Sequence, residues 1–155
     1  MVPLTITRHK KTKLDGSAKL LLYGYGSYGS SMSPSFSSTR ISLIERDIIW
    51  VTSHIRGGME KGMKWWKEGK LLNKKNTFED YIASAKFLIE KKFTSKGNII
   101  GMGGSAGGLL MGAVVNQAPE LFLGIVMAVP FVDSLTTNLD HSLPLTVGEL
   151  SLIHI

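Results

Sequence analysis

A potential nucleophile stands in the segment Gly103-Gly104-Ser105-Ala106-Gly107-Gly108. An apolar run at 98–102 precedes it and predicts a short buried strand, while a second apolar run at 109–115 predicts a buried helix. A Gly-x-Ser-x-Gly sequence between a strand and a helix is the pattern of a nucleophile elbow, which presents a serine hydroxyl for attack on an acyl carbon. The flanking strand and helix favour this interpretation over a glycine-rich turn that holds an ordinary serine.

The small residues around Ser105 suit acyl-transfer chemistry. A turn this sharp crowds the backbone beside the serine, so residues without a Cβ fit best there. The backbone N–H of Ala106, at the start of the predicted helix, can donate to the oxyanion that forms during attack. The sequence therefore predicts a nucleophile at Ser105 and an oxyanion donor at Ala106.

Apolar runs alternate with helical patterns between residues 19 and 130, which indicates how the elbow is positioned. Strands are predicted at 2–7, 19–23, 48–52, 98–102 and 124–129. Helices are predicted at 38–46, with Ile41 and Ile44 facing inward, and at 77–92. Short strands joined by crossover helices predict an α/β fold, with a mostly parallel sheet covered by helices on both faces.

The predicted helix at 77–92 has the strongest local signals. Thr77 and Asp80 have the spacing of a capping box. One helical face is apolar and is formed by Phe78, Tyr81, Ile82, Ala85, Leu88 and Ile89. The pattern predicts that this face packs against the sheet.

Composition limits the possible classes of protein. The chain has 155 residues and a net charge of +6, and we interpret its lysines at 10–13 and 61–75 as solvated. No basic face with interleaved aromatics is apparent, so nucleic acid is not an expected partner. The chain has no cysteine, no signal-peptide pattern and no apolar run long enough to span a membrane, and we expect no metal, cofactor or membrane partner.

Several motifs occur in an order that resembles a known family. They are Leu22–Gly29, His54–Gly58, Asn73–Phe78, Gly103–Gly108, Pro130–Asp133 and Pro144–Glu149. Together they resemble the catalytic domain of the prolyl oligopeptidase family of serine peptidases, and within it the oligopeptidase B subfamily. The resemblance implies an α/β-hydrolase fold and hydrolysis of short peptides through an acyl-enzyme on Ser105, and we separately expect a cytoplasmic location. It also implies an N-terminal β-propeller domain, which this chain does not contain.

The resemblance assigns roles to individual residues. Tyr25 matches the tyrosine whose hydroxyl is the second oxyanion donor, with a packed loop aromatic as the alternative. Glu149 matches the acidic residue that binds a basic P1 side chain, with a surface glutamate as the alternative. Ser33 and Ser35 stand where the subfamily carries acids that favour a second basic residue, so a dibasic preference is not expected. Arg56 is interpreted as a structural residue, and His54 as a core histidine.

The base and the orienting acid of a triad are not expected in this chain. Asp133 or Asp140 with His141 would complete a triad in the order of α/β hydrolases, but the family places its acid and histidine further along. We interpret residues 1–149 as a partial α/β-hydrolase catalytic domain. Residues 150–155 match a reading frame of a sequencing adapter and are interpreted as a non-native tail, with a natural C-terminus as the alternative.

The expected function follows from these assignments. The chain is predicted to be a fragment of a serine oligopeptidase that cleaves after Arg or Lys, and to be inactive by itself. Three alternatives stay open: a prolyl-specific oligopeptidase, an esterase-like hydrolase, and a non-catalytic α/β module.

Overall fold

A computed structural model describes residues 1–140 and 142–143. Its sheet contains five strands in the order β1-β3-β2-β4-β5. The strands are β1 (Leu4–Thr7), β2 (Leu20–Tyr23), β3 (Ile49–Ser53), β4 (Ile99–Gly104) and β5 (Phe122–Ala128). Only β1, at one edge, runs antiparallel to its neighbour, and the other described pairings are parallel. The predicted α/β fold with a mostly parallel sheet is confirmed.

Helices cover both faces of this sheet. They are α1 (Ser38–Ile44), α2 (Met63–Lys67), α3 (Lys75–Glu90), α4 (Ala106–Gln117) and α5 (Ser134–Leu139), with 3₁₀ turns at Leu71–Asn73 and Pro119–Leu121. None of the described helices combines the length and the hydrophobicity needed to cross a bilayer.

The core lies between the sheet and the pair α3 and α4. Leu20 and Leu22 of β2 face these helices, because alternate side chains of a strand point to the same face. Tyr81 of α3 is fully buried there, and its hydroxyl donates to the carbonyl oxygen of Leu22 at 2.5 Å. Burial raises the pKa of Tyr81, since it disfavours the phenolate. The predicted apolar face of α3 is therefore confirmed.

The opposite face of the sheet is covered by α1, and here one expectation is wrong. Ile41 is 39% exposed, and α1 has no buried residue. Its neighbour Arg40 faces the sheet instead, with its guanidinium carbon 4.9 Å from the centroid of the Trp50 ring. Because consecutive helical residues point about 100° apart, the contact through Arg40 turns Ile41 toward solvent.

The predicted capping box is also wrong. Helix α3 begins at Lys75, two residues before Thr77, and no side chain caps it. The Thr77 hydroxyl donates to the carbonyl oxygens of Arg56 and Gly69, and Asp80 pairs with Arg56. Both side chains bind distant loops, so tertiary partners have replaced the local ones that the spacing favours.

The strand order creates a crevice at the carboxyl ends of β2 and β4. The chain leaves β2 toward α1 on one face, and leaves β4 toward α4 on the other. Adjacent parallel strands whose connections diverge in this way form a switch point, where α/β proteins bind their ligands. The two loops that meet there carry Tyr25 and Ser105.

Candidate active site

Ser105 occupies the turn between β4 and α4. Its backbone has φ 54° and ψ −120°, a conformation that side chains with a Cβ rarely adopt. Its N–H donates to the carbonyl oxygen of Ala128 at 2.9 Å. Its carbonyl oxygen accepts from the N–H groups of Gly108 at 2.8 Å and Phe131 at 3.0 Å. These bonds hold Ser105 in the strained conformation, and the residue itself is exposed.

The glycines around Ser105 are required by close backbone contacts. A Cβ on Gly103 would lie 2.3 Å from the carbonyl oxygen of Gly107, and one on Gly108 would lie 2.4 Å from Cα of Pro130. Both distances are below any van der Waals contact. The elbow therefore has the geometry that the Gly-x-Ser-x-Gly pattern predicts.

The N-terminus of α4 points toward the serine. As the first residue of the helix, Ala106 carries an N–H group that has no acceptor within the helix. The helix has twelve residues, and the partial positive charge of its N-terminus lies beside Ser105. This is an electrostatic environment that favours a negative charge on an oxygen bound next to the serine.

Tyr25 lies beside the same helix terminus. The β2–β4 pairing continues into its loop, where the N–H of Gly24 donates to the carbonyl oxygen of Met102 at 3.0 Å. A Cβ built on Gly107 would lie 3.3 Å from Cδ2 of Tyr25 and 2.9 Å from the carbonyl oxygen of Gly24. The first turn of α4 and the Tyr25 loop are thus in direct contact, and Tyr25 is half-buried between them.

A buried lysine binds the Tyr25 loop. Lys74 is only 8% exposed, and its Nζ donates to the carbonyl oxygen of Gly26 at 2.7 Å and to Oγ of Ser27 at 2.8 Å. Burial lowers the pKa of Lys74 to about 8, because the ammonium group loses water. Interpreting the lysines at 61–75 as solvated is therefore wrong for Lys74.

Arg56 and Asp80 connect the next loop to α3. Nε of Arg56 donates to Oδ2 of Asp80 at 2.7 Å, and Nη2 donates to Oδ1 at 2.6 Å. This two-point contact with a carboxylate raises the pKa of Arg56. The guanidinium carbon also lies 5.8 Å from the centroid of the Trp65 ring. Arg56 has the structural role expected for it.

His54 is a core residue, as expected. It is buried, and its Nε2 lies 2.7 Å from Oγ1 of Thr5 on β1. Its Nδ1 lies 3.5 Å from Oε1 of Glu60 and forms no hydrogen bond with any described residue. The Glu60 oxygen accepts instead from the N–H of Met32 at 2.9 Å.

Of the three described acids that follow Ser105, which are Glu120, Asp133 and Asp140, the last two have local partners. Asp133 caps α5 by accepting from the N–H of Thr136 at 3.1 Å. Asp140 accepts from the hydroxyl and the N–H of Ser142, and these bonds lower the pKa of Asp140. Glu149, His141 and the interpreted tail at 150–155 lie outside the described residues.

An open cavity of about 410 Å³ lies on the α1 side of the sheet. Ser33 and Ser35 line it together with Arg40, Tyr23 and Trp50, and none of its lining residues is acidic. A cavity with this lining offers no carboxylate to a second basic side chain.

The sequence does not predict the burial of Lys74 or its contact with the Tyr25 loop. Lys74 lies in a lysine-rich stretch, where the pattern favours solvated side chains. Its acceptor on Gly26 is 48 residues away in sequence. The only available signal was its place inside the motif Asn73–Phe78.

Known proteins share this sequence and this fold. Residues 34–152 match the prolyl oligopeptidase family. The chain is 49% identical over 148 residues to dipeptidyl aminopeptidase BI of Pseudoxanthomonas mexicana, and the match covers 96% of this chain and 20% of that protein. It is 53% identical over 148 residues to protease 2 of Moraxella lacunata, where 96% and 21% are covered.

A solved structure gives the same result in three dimensions. The structure of oligopeptidase B from Leishmania major matches with a TM-score of 0.91 and 48% identity, over 96% of this chain and 21% of that chain. The chain thus spans about a fifth of the length of the relatives it matches.

Proposed function

The chain belongs to the prolyl oligopeptidase family, and on that premise we propose that it is the nucleophile-bearing segment of a serine peptidase that hydrolyses short peptides. The longer protein that would contain this segment is called the parent peptidase below. The observation that carries the proposal is the strained turn at Ser105, which sets an exposed serine at the N-terminus of α4 beside the Tyr25 loop.

The proposed reaction proceeds through an acyl-enzyme. Oγ of Ser105 attacks the scissile carbonyl carbon while a base takes the hydroxyl proton. The carbonyl oxygen becomes an oxyanion, which accepts from the N–H of Ala106 and the hydroxyl of Tyr25. The carbon–nitrogen bond then breaks, the amine leaves with the proton, and water hydrolyses the ester on Ser105. The base and its orienting acid belong, in this proposal, to other parts of the parent peptidase.

The proposed substrates carry Arg or Lys at P1. Support comes from the resemblance, which aligns Glu149 with an acidic pocket residue, and from the relative that is named oligopeptidase B. A carboxylate in a pocket would pair with a basic side chain. The cavity lined by Ser33 and Ser35 contains no acid, which argues against a requirement for a second basic residue. A β-propeller domain in the parent peptidase is proposed from the resemblance alone, and a cytoplasmic location stays a prediction.

Substitution of Ser105 tests the proposed nucleophile. In the parent peptidase, Ser105→Ala is expected to lower turnover of an arginyl amide on the order of a millionfold. Ser142→Ala is the matched control, since Ser142 is an exposed serine that donates to Asp140, and this substitution is expected to leave turnover unchanged. Turnover that survives Ser105→Ala would refute the proposal.

Substitution of Glu149 tests the proposed specificity. Glu149→Gln keeps the shape of the side chain and removes its charge. The free-energy preference for Arg over Pro, calculated from the kcat/KM ratio of matched substrates, is therefore expected to fall by about 2–5 kcal/mol. A wild-type preference for Pro, or an unchanged ratio in Glu149→Gln, would favour a prolyl-specific enzyme.

A second candidate activity comes from one relative. The protein from Pseudoxanthomonas mexicana is named a dipeptidyl aminopeptidase, which describes removal of dipeptides from a free amino terminus. Matched substrates with free and acetylated amino termini distinguish the two: an oligopeptidase cleaves both, whereas a dipeptidyl aminopeptidase requires the free amine.

A further inference from the structure

We infer that Lys74 is a positioning residue for the proposed reaction: its ammonium group fixes the loop that carries Tyr25, and through that loop the second oxyanion donor. The inference rests on the proposed function for the role of Tyr25. The contacts of Lys74 themselves stand independently of it.

The environment of Lys74 differs from that of a surface lysine. Its neighbours Asn73 and Lys75 are exposed, whereas Lys74 is buried. No carboxylate of the described residues lies within ion-pair distance of its Nζ. Burying an unpaired ammonium group is costly unless strong acceptors replace water. The acceptors here are the Gly26 carbonyl and the Ser27 hydroxyl, so the cost of burial is offset only while the loop keeps its conformation.

The bound segment directly follows Tyr25. Gly26 has φ +67°, and a Cβ on it would lie 2.5 Å from Cγ2 of Thr77. On the other side, a Cβ on Gly57 would lie 2.0 Å from the Gly26 carbonyl oxygen. The Gly26–Ser27 peptide is therefore enclosed by the first turn of α3 and by the loop that contains Gly57, and Lys74 supplies the charged group that fixes its direction. A rotation of this peptide would turn the chain immediately after Tyr25 and move the tyrosine relative to α4.

Charge also favours this arrangement during the reaction. The Gly26 carbonyl dipole is held with its oxygen toward Nζ of Lys74, so its negative end is bound to a cation and not left free to turn toward the oxyanion. A fixed loop needs no rearrangement when the negative charge develops, which is the condition for effective oxyanion stabilisation. Lys74 thus acts through Tyr25 and contacts no reacting atom itself.

A double-mutant cycle in the parent peptidase tests the inference. Lys74→Met keeps the length of the side chain and removes its donor, and is expected to lower kcat by about 10- to 100-fold with little change in KM. In a Tyr25→Phe background the same substitution is expected to lower kcat by less than about threefold, because the donor that Lys74 positions is already lost. Equal losses in the two backgrounds, or an unchanged kcat in Lys74→Met, would overturn the inference.

Thr94→Val is the matched control for the loss of a buried hydrogen bond. Thr94 is buried at the opposite end of the sheet, and its hydroxyl donates to the carbonyl oxygen of Ala18 at 2.7 Å. Its substitution is expected to reduce stability and to leave kcat unchanged. A comparable fall of kcat in Thr94→Val would show that the effect of Lys74→Met is only structural.

Hydrogen exchange on the full 155-residue chain tests the loop contact without any activity. The backbone N–H groups of residues 25–29 are expected to exchange at least about tenfold faster in Lys74→Met than in wild type, and those of α4 at the same rate. If Lys74→Met does not fold, Lys74→Gln replaces it, since a shorter neutral donor is expected to give a smaller increase. Unchanged exchange in the loop would refute the contact.

A parent peptidase without Ser105-dependent turnover would instead refute the proposed function. The exchange result would still decide whether Lys74 holds the loop.

Discussion

The backbone at Gly103 is tightly enclosed beside Ser105, and this gives a first prediction. Gly103→Ala would place a Cβ 2.3 Å from the backbone oxygen of Gly107, so β4 and α4 would have to separate. We expect the free energy of unfolding to fall by about 1–3 kcal/mol, as for other overpacked sites. Urea unfolding of the 155-residue chain measures it. Gly124→Ala is the control, since a Cβ there meets nothing within 4 Å, and an equal loss in both variants would contradict the prediction.

The buried ammonium of Lys74 makes stability depend on pH. Burial lowers the pKa of Lys74 to about 8 from 10.5, so between these values the folded chain binds fewer protons than the unfolded chain. Stability contributed by this group therefore rises with pH over that window. Tyr81 has the opposite sign, because its raised pKa costs stability once unfolded tyrosine ionises near pH 10.

To measure the contribution of Lys74 separately from that of Tyr81, wild type and Lys74→Met are compared below about pH 10. Between about pH 7 and about pH 9.5, wild type is expected to gain about 2 kcal/mol relative to Lys74→Met in urea unfolding. Parallel pH dependences for the two proteins would show that the Lys74 amine is not desolvated.

At the scale of the elements, the ion pair of Arg56 with Asp80 connects α3 to the loop after β3. Asp80→Asn removes the carboxylate that both nitrogens of Arg56 contact and leaves a partly buried cation without its partner. Breaking such a pair is expected to cost about 2–4 kcal/mol, less than for a fully buried pair, because the Arg56 side chain keeps 23% exposure. Thermal unfolding measures the loss. Lys64→Met breaks the exposed pair with Glu68 and is expected to cost under about 1 kcal/mol, so equal costs would contradict the prediction.

The elements that the sequence predicted well are those whose signals are local. The strands β2 to β5 and the apolar face of α3 follow from runs of apolar residues and their periodicity. The elbow follows from glycines at positions where the backbone leaves no space for a Cβ. Thr77 and Asp80 were misread as a capping box because their partners lie on loops far away in the sequence. The burial of Lys74 has the same origin, since its acceptor belongs to another loop. A local sequence pattern contains no information about such tertiary partners.

At the scale of the whole molecule, β5 exposes an apolar edge. It pairs with β4 alone among the described strands, and Leu123, Val126 and Met127 are exposed. An unpaired edge without charges is a template for another strand. We expect the 155-residue chain to associate at micromolar concentrations, and the double substitution Val126→Lys with Met127→Lys to reduce the association, as measured by light scattering.

The control for the β5 variant introduces the same two positive charges into a different element. Leu135→Lys with Leu139→Lys alters two exposed apolar residues of α5, which is a helix and offers no unpaired strand edge. This variant is expected to associate as wild type does. A monomeric wild-type chain, or equal effects of the two double variants, would show that the edge of β5 does not drive association.

The pairing of β2 with β4 has a consequence for biosynthesis. Tyr25 follows β2 and Ser105 follows β4, and the chain from α1 to α3 is synthesised between them. A ribosome therefore releases the tyrosine loop well before the serine, and the two meet only after a long segment has been closed. A nascent chain cannot bring the Tyr25 loop and Ser105 together until β4 has emerged and paired with β2. Translation order thus delays the proposed hydrolytic centre until four of the five described strands have been made.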